Sequence, residues 1–215
     1  MRRTLFGFVV CLGLATAMTG EWAMTGGSAL AAGLQEKQET TNSQDDKQDD
    51  AKEETVEVVL AEGRLDFQAP KSWEKKQPKF NIVEAEFGPK SSKENVDPAR
   101  LTIMASGGSV EANLERWLGQ FSQEDASDTE DHTKQEVKKI NGMQVHIVDI
   151  HGTYADSAGP FAGNAVQRKG YRMLGAIVET KVVGNYYFKM YGPKETMDEH
   201  EKRFLKMIET IKLSL

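Results

Sequence analysis

One segment strongly limits how the chain can fold: residues 107–121, with the sequence GGSVEANLERWLGQF. Its apolar side chains recur at the spacing that puts them on one stripe of an α-helix. They are Val110, Leu114, Trp117, Leu118 and Phe121. Such a stripe is stable only when another apolar surface covers it. The segment therefore predicts an amphipathic helix packed on a core that the rest of the chain must supply.

The residues that precede this helix predict a strand and a tight turn. Residues 100–106 alternate as a strand does, Gly107–Gly108 forms the turn, and Ser109 suits the N-cap because its hydroxyl can accept from a first-turn amide. A glycine pair at a helix start can also bind phosphate. The segment lacks both the GxGxxG spacing and a Lys-Ser/Thr pair, so we favour the turn.

The strands are predicted to pair mainly through hairpins. Asn141–Gly142 is the preferred two-residue type I′ turn and joins residues 133–140 to residues 143–154. Five more segments read as strands: 56–60, 64–69, 80–87, 171–180 and 186–191. A second amphipathic helix begins between Lys194 and Asp198. The expected fold class is α+β, a mainly antiparallel sheet packed with two principal helices.

The N-terminal residues indicate export. Arg2 and Arg3 precede an apolar run, and Ala29-Leu30-Ala31 fits a signal peptidase site, so residues 1–32 are expected to be a signal peptide. The apolar run is too short to leave a stable membrane span after cleavage. We expect the exported chain in the periplasm or outside the cell. The paired arginines leave the twin-arginine route open beside the general secretory route.

Cleavage at this site would leave a cysteine-free chain, because Cys11 is the only cysteine. Val10 is bulkier than the residue that usually precedes a lipidated cysteine, which disfavours lipidation. Residues 33–55 hold three lysines against eight acids and almost no apolar residue. That composition predicts a disordered acidic linker before a single α+β domain at residues 56–215.

The charge distribution disfavours two classes of partner. The net charge is −6, and the part that follows the linker is nearly neutral, without a basic stripe. Neither nucleic-acid binding nor binding to an anionic membrane surface is therefore expected. Residues 123–131 hold five acids but lack the spacing and the glycine of an EF-hand loop, so no calcium site is predicted. No motif predicts a cofactor or a structural metal.

Asp149 and His151 are the candidates with the clearest chemistry. They lie two apart on a predicted strand, so they share one face and can form a carboxylate–imidazole pair. The alternative is a hydrogen-bonded or solvated pair near the strand end. The glycine-rich loop predicted at residues 155–169 follows this strand, so we place a ligand or partner site at Asp149, His151, Tyr154, Phe161 and Asn164.

Several stretches together resemble a group of uncharacterised exported bacterial proteins. They are residues 107–121, 152–154, 171–177 and 188–193, which span most of the expected domain. The order of elements also resembles the PsbP-type fold, shared by photosystem extrinsic proteins, Ran-binding Mog proteins and DcrB-type envelope proteins. The resemblance implies a PsbP-like α/β sandwich, and it carries over no catalytic residue.

Three functions remain after the motifs are considered. The first is an exported non-catalytic binding module of the cell envelope, whose partner is an envelope protein or a small ligand. The second is a hydrolase or metal-dependent enzyme that uses Asp149 and His151. The third is a structural envelope protein without a discrete ligand. The lack of a nucleophile motif favours the first over the second.

Overall fold

The computed structural model describes residues 53–157 and 165–214. The elements up to the first helix are β1 (Thr55–Leu60), β2 (Leu65–Pro70), β3 (Glu74–Lys76), β4 (Ala85–Gly88), β5 (Arg100–Ser106) and α1 (Val110–Leu118). Those that follow are β6 (Phe121–Ser122), β7 (Thr133–Ile140), β8 (Met143–Asp156), β9 (Val166–Thr180), β10 (Gly184–Pro193), α2 (Lys194–Glu209) and β11 (Lys212–Leu213).

The strands form one large and one small sheet. The large sheet has the order β3-β4-β5-β10-β9-β8-β6, with β7 also paired to β8, and the small sheet has the order β1-β2-β11. Every described pairing is antiparallel. The predicted class, a mainly antiparallel α+β fold with two principal helices, is therefore confirmed.

Each face of the large sheet carries its own core. On one face, α2 and the small sheet bury Phe67, Phe188 and Phe204 among other apolar side chains. On the opposite face, α1 packs Val110 and Trp117 against the sheet. We call these the α2 face and the α1 face. Strand β8 contributes to both cores, as expected for a strand with apolar residues on each side.

The predicted turn chemistry of α1 and of the β7–β8 hairpin is confirmed. Ser109 is the N-cap of α1, and its side chain accepts from the Ala112 amide. Asn141 and Gly142 both have positive φ, 46° and 86°, as a type I′ turn requires. Phe121 was expected on the helical stripe, but α1 ends at Leu118 and Phe121 is buried from β6 instead.

Other predicted bounds need correction. β3 was not predicted, and β4 begins at Ala85 although the strand was expected from residue 80. The predicted loop bounds of 155 and 169 are too wide, because β8 continues to Asp156 and β9 begins at Val166. A register shift lies beside Gly170, whose φ is 65°, and it lets β9 extend past the glycine.

The expected signal peptide and most of the expected linker lie outside the described residues. β1 begins at Thr55, and the Glu54 carbonyl accepts from the Lys71 amide at 2.9 Å. No helix in the described part of the chain is long and apolar enough to cross a membrane.

Candidate functional site

The predicted pair of Asp149 and His151 forms on the α2 face. His151 Nε2 lies 3.1 Å from Asp149 Oδ1, because both side chains leave β8 on the same side. The His151 side chain is 34% exposed, whereas Asp149 is buried. The geometry therefore contains the carboxylate–imidazole contact that a general base would need.

Arg172 on β9 binds the same carboxylate more completely. Its Nε and Nη2 donate to the two oxygens of Asp149 at 2.9 and 2.8 Å. The guanidinium also donates to Asp198 and Glu201 of α2, at 2.7 Å in each case. We call these four residues, together with His151, the Arg172 network. Its hydrogen bonds join α2 to the middle of the large sheet, so the network has a structural role.

The Arg172 network also sets the protonation state of Asp149. Burial would raise the pKa of this carboxyl, but hydrogen bonds from His151 and Arg172 outweigh burial and hold the pKa well below its usual range. A carboxylate with so low a pKa is a poor proton acceptor near neutral pH. Asp149 can orient His151, but its low pKa makes Asp149 itself a poor base.

Of the other predicted site residues, Tyr154 does not join this pair. Side chains alternate along β8, so Tyr154 lies on the α1 face, across the sheet from Asp149 and His151. Phe161 and Asn164 lie outside the described residues. The sequence-based grouping of these residues at one end of the sheet overlooked that an even-numbered and an odd-numbered residue of one strand face opposite ways.

A second cluster lies on the α1 face around Lys189 of β10. Tyr154 stacks nearly parallel on Tyr171, with ring centroids 6.1 Å apart, and contacts the ring of Tyr191 at 4.8 Å. The Lys189 ammonium lies 5.0 Å from the ring centroids of both Tyr154 and Tyr191. We call these four residues the tyrosine–lysine cluster. Lys189, Tyr171 and Tyr191 are each partly exposed, so solvent reaches the cluster.

Lys189 has only neutral hydrogen-bond partners among the described residues. Its Nζ donates to Gln120 Oε1 and, at 3.1 Å, to Tyr154 Oη, and no described carboxylate forms an ion pair with it. Burial lowers the pKa of Lys189 to about 7, and repulsion from Arg116 and Arg100 adds to this. A half-buried ammonium without a counter-ion is electrostatically unsatisfied.

Arg100, in contrast, is already paired with a carboxylate, whereas Arg116 donates, among the described residues, only to the neutral amide oxygen of Asn113. Arg100 donates to both oxygens of Glu86 at 2.9 Å and to Tyr191 Oη at 3.0 Å. This fixes one tyrosine hydroxyl and leaves Arg100 neutralised. Lys189, the cation of the cluster, forms no ion pair within the described residues, and the one carboxylate that attracts it from a distance, Asp156, is paired with Arg168.

Helix α1 positions the residues that cover this cluster. Asn113 donates to Tyr187 Oη at 2.9 Å, and the Trp117 ring packs edge-on against the Tyr187 ring, 6.1 Å between centroids. The ring of Trp117 lies over Gly175, where an added Cβ would be 2.4 Å from Cζ3. Gln120, which follows α1, is thereby placed against Lys189.

Comparison with known proteins adds information on the fold only. No protein-family model matches the chain, and no curated protein matches it. Solved structures with a similar fold include a cyanobacterial PsbP, CyanoP, from Synechocystis sp. PCC 6803. It is 10% identical, with a TM-score of 0.46 over 74% of this chain and 92% of that protein.

Two further similar structures come from other organisms. LpqN, involved in cell envelope biogenesis of Mycobacterium tuberculosis, is 9% identical, with a TM-score of 0.44 over 75% of this chain and 91% of its own. The Ran-binding protein Mog1p of Saccharomyces cerevisiae is 7% identical, with a TM-score of 0.41 over 75% and 96%. Likenesses this distant carry no information on function.

Sequence reasoning missed the tyrosine–lysine cluster. The segment YYFKMY was interpreted only as a strand, although Tyr187, Lys189 and Tyr191 alternate along it and must share a face. That alternation was the available signal. The contribution of Tyr154 and Gln120 depends on which strands are neighbours, and no local pattern encodes that.

Proposed function

We propose that this chain is an exported, non-catalytic binding module of the cell envelope, and that its partner binds at the tyrosine–lysine cluster. The observation that carries the proposal is the Lys189 ammonium, half-buried between two tyrosine rings with no carboxylate partner among the described residues. An ammonium that burial has stripped of hydration is stabilised in its charged form when a ligand supplies the opposite charge.

The cluster specifies the chemistry of that partner. An anionic group, a carboxylate or a phosphate on an envelope protein or a small ligand, would accept from Lys189 while the tyrosine rings bury the apolar part beside it. Tyrosine combines a large contact area with a polar tip, which suits it to binding surfaces. Arg100, which Glu86 already neutralises, would hold the Tyr191 hydroxyl in place.

The enzyme alternative rests on the 3.1 Å contact between His151 and Asp149. In that arrangement His151 is the proton acceptor, and Asp149, which Arg172 holds ionised, orients it. A screen with ester, phosphoester, glycoside and peptide substrates, with and without divalent metal, separates the two functions. Turnover that His151→Ala abolishes would establish the enzyme and reject the binding module.

Replacing Lys189 with methionine should abolish most of the binding. Methionine keeps the length of the side chain and removes the charge, so a charge-assisted hydrogen bond is lost, and we expect affinity to fall roughly tenfold or more. The measurement is quantitative retention of envelope components by the tagged wild-type chain and by the variant. Lys134→Met, which removes an exposed lysine on β7, is the matched control.

Two outcomes would contradict the proposal. If Lys189→Met and Lys134→Met retain the same components in the same amounts, the cluster is not the binding site. If Lys189→Met only changes the thermal midpoint and leaves retention intact, the cluster has a structural role.

A further inference from the structure

The end of the large sheet opposite the tyrosine–lysine cluster exposes three large apolar side chains. Phe80 is 47% exposed, Ile82 is 70% exposed and Val182 is 48% exposed. Phe80 and Ile82 belong to a tight turn closed by a hydrogen bond from the Val83 amide to the Phe80 carbonyl at 3.0 Å. A turn presents these side chains outward, away from either core.

The strand register places these residues at one end of the sheet. β4 begins at Ala85, which pairs with Ile103 towards the end of β5. Ser106, where β5 ends, pairs with Asn185 at the start of β10, directly after the turn that carries Val182. Two strand spacings separate β4 from β10, which is about 10 Å. We call the surface of Lys79, Phe80, Ile82, Lys181 and Val182 the turn end.

The turn end is also positively charged. Lys79 and Lys181 are exposed and form no ion pair within the described residues. Three acids lie near the same end: Glu179 is bound by His146 and Gln144, Glu84 is also bound, and Glu62 stays exposed. Glu84 accepts from the Ala61 amide at 3.1 Å and from Tyr186 Oη at 2.9 Å, and Glu62 is 3.9 Å from Arg64.

We propose that the turn end docks reversibly on an anionic lipid bilayer, with Phe80, Ile82 and Val182 entering the interfacial layer and Lys79 and Lys181 facing lipid phosphates. Projecting apolar tips flanked by lysines match the requirement for interfacial binding, in which apolar burial and attraction to anionic headgroups add. A protein partner fits less well, since a stable protein interface needs a broad complementary surface and the turns are separate projections.

This site is independent of the proposed function. The tyrosine–lysine cluster lies where β5 begins and β10 ends, so both surfaces can be occupied at once. On a bilayer, the turn end would face the lipid and the cluster would face away from it. A failure of lipid binding would leave the binding-module proposal unaffected.

The test is co-sedimentation of the exported form of the chain with vesicles of phosphatidylcholine, with and without phosphatidylglycerol. We expect binding only to the anionic vesicles, weakened by high salt. Phe80→Ser with Ile82→Ser should reduce the partition coefficient about tenfold or more, because two inserted side chains are lost. Lys79→Ala with Lys181→Ala should lower it several-fold and remove most of the salt dependence.

Matched controls lie far from the turn end. Val166, 54% exposed at the start of β9, and Lys134, near the start of β7, supply an apolar and a charged control as Val166→Ser and Lys134→Ala. Both should leave partitioning unchanged.

The proposal is overturned if the wild type does not sediment with anionic vesicles, or if the control variants lose as much binding as the turn-end variants. If the wild type binds an acidic protein but no vesicles, and the turn-end variants lose that protein, the turn end is a protein interface and the bilayer proposal is overturned.

Discussion

Trp117→Ala should lower the free energy of unfolding by about 3–5 kcal/mol, the range for truncating a buried aromatic side chain. Trp117 is 3% exposed and contacts Tyr187, and its ring fills the space that Gly175 leaves open. Alanine would leave a cavity between α1 and the sheet. Chemical denaturation of the wild type and the variant measures the difference.

Two further variants separate the cavity from other causes. Leu114→Ala removes a partly buried residue from the same helix and should cost about 1 kcal/mol. Gly175→Ala should also destabilise, because the new Cβ would meet the Trp117 ring at 2.4 Å and Val148 at 2.9 Å. An unchanged midpoint for Trp117→Ala would mean that the stripe of α1 is exposed, and it would make α1 a binding surface.

Arg172→Ala should have a comparably large effect, a loss of about 3–5 kcal/mol, as for removal of one partner from a buried ion pair. The Arg172 side chain is only 6% exposed and serves three carboxylates, from β8 and from α2. Without it, Asp149, Asp198 and Glu201 repel one another beneath α2. Lys194→Ala, which removes an exposed partner of Asp198, is the matched control and should cost little.

The pH dependence of this loss follows from the depressed pKa of Asp149. The folded-state pKa lies below the unfolded-state pKa of about 4. The stabilisation is therefore present above the unfolded-state pKa and is lost as the pH falls towards the folded-state pKa. The difference between wild type and Arg172→Ala should therefore shrink below about pH 4. A difference that is small and independent of pH would show that the Arg172 network does not hold α2 to the sheet.

The Arg172 network changes the stability that we expect for alanine variants of Asp149 and His151. A binding role for Asp149 and His151 predicts that alanine at either position leaves stability nearly unchanged. Asp149 is buried and engaged by Arg172, so we now expect a clear stability loss at Asp149 and a smaller one at the partly exposed His151.

The features that the sequence could predict are local ones. The stripe of α1, the Ser109 cap and the Asn141–Gly142 turn each depend on residues within a few positions, and each is confirmed. The antiparallel class followed from the hairpins. β3 escaped prediction because its three residues are polar and are held by pairing with β4.

The site residues were harder to predict because their partners are distant in sequence. Asp149 and His151 do meet, since they lie two apart on one strand. The arginine that engages Asp149 comes from β9, 23 residues later, through the register of β8 with β9. Likewise, Lys189 acquires Tyr154 and Gln120 only because β8, β10 and the end of α1 converge on one face. Tertiary pairing, which no local pattern encodes, produces both arrangements.

We propose that an anionic partner neutralises the charge of Lys189, and the protonation of Lys189 can be measured directly. In a ¹⁵N NMR titration of the Lys189 ammonium, we expect a pKa of about 7 in the free chain. Inorganic phosphate, used as the probe, should raise that pKa by stabilising the charged form, and its affinity should fall as the pH rises through the folded-state value. A pKa near the ordinary 10.5, unmoved by phosphate, would contradict the claim.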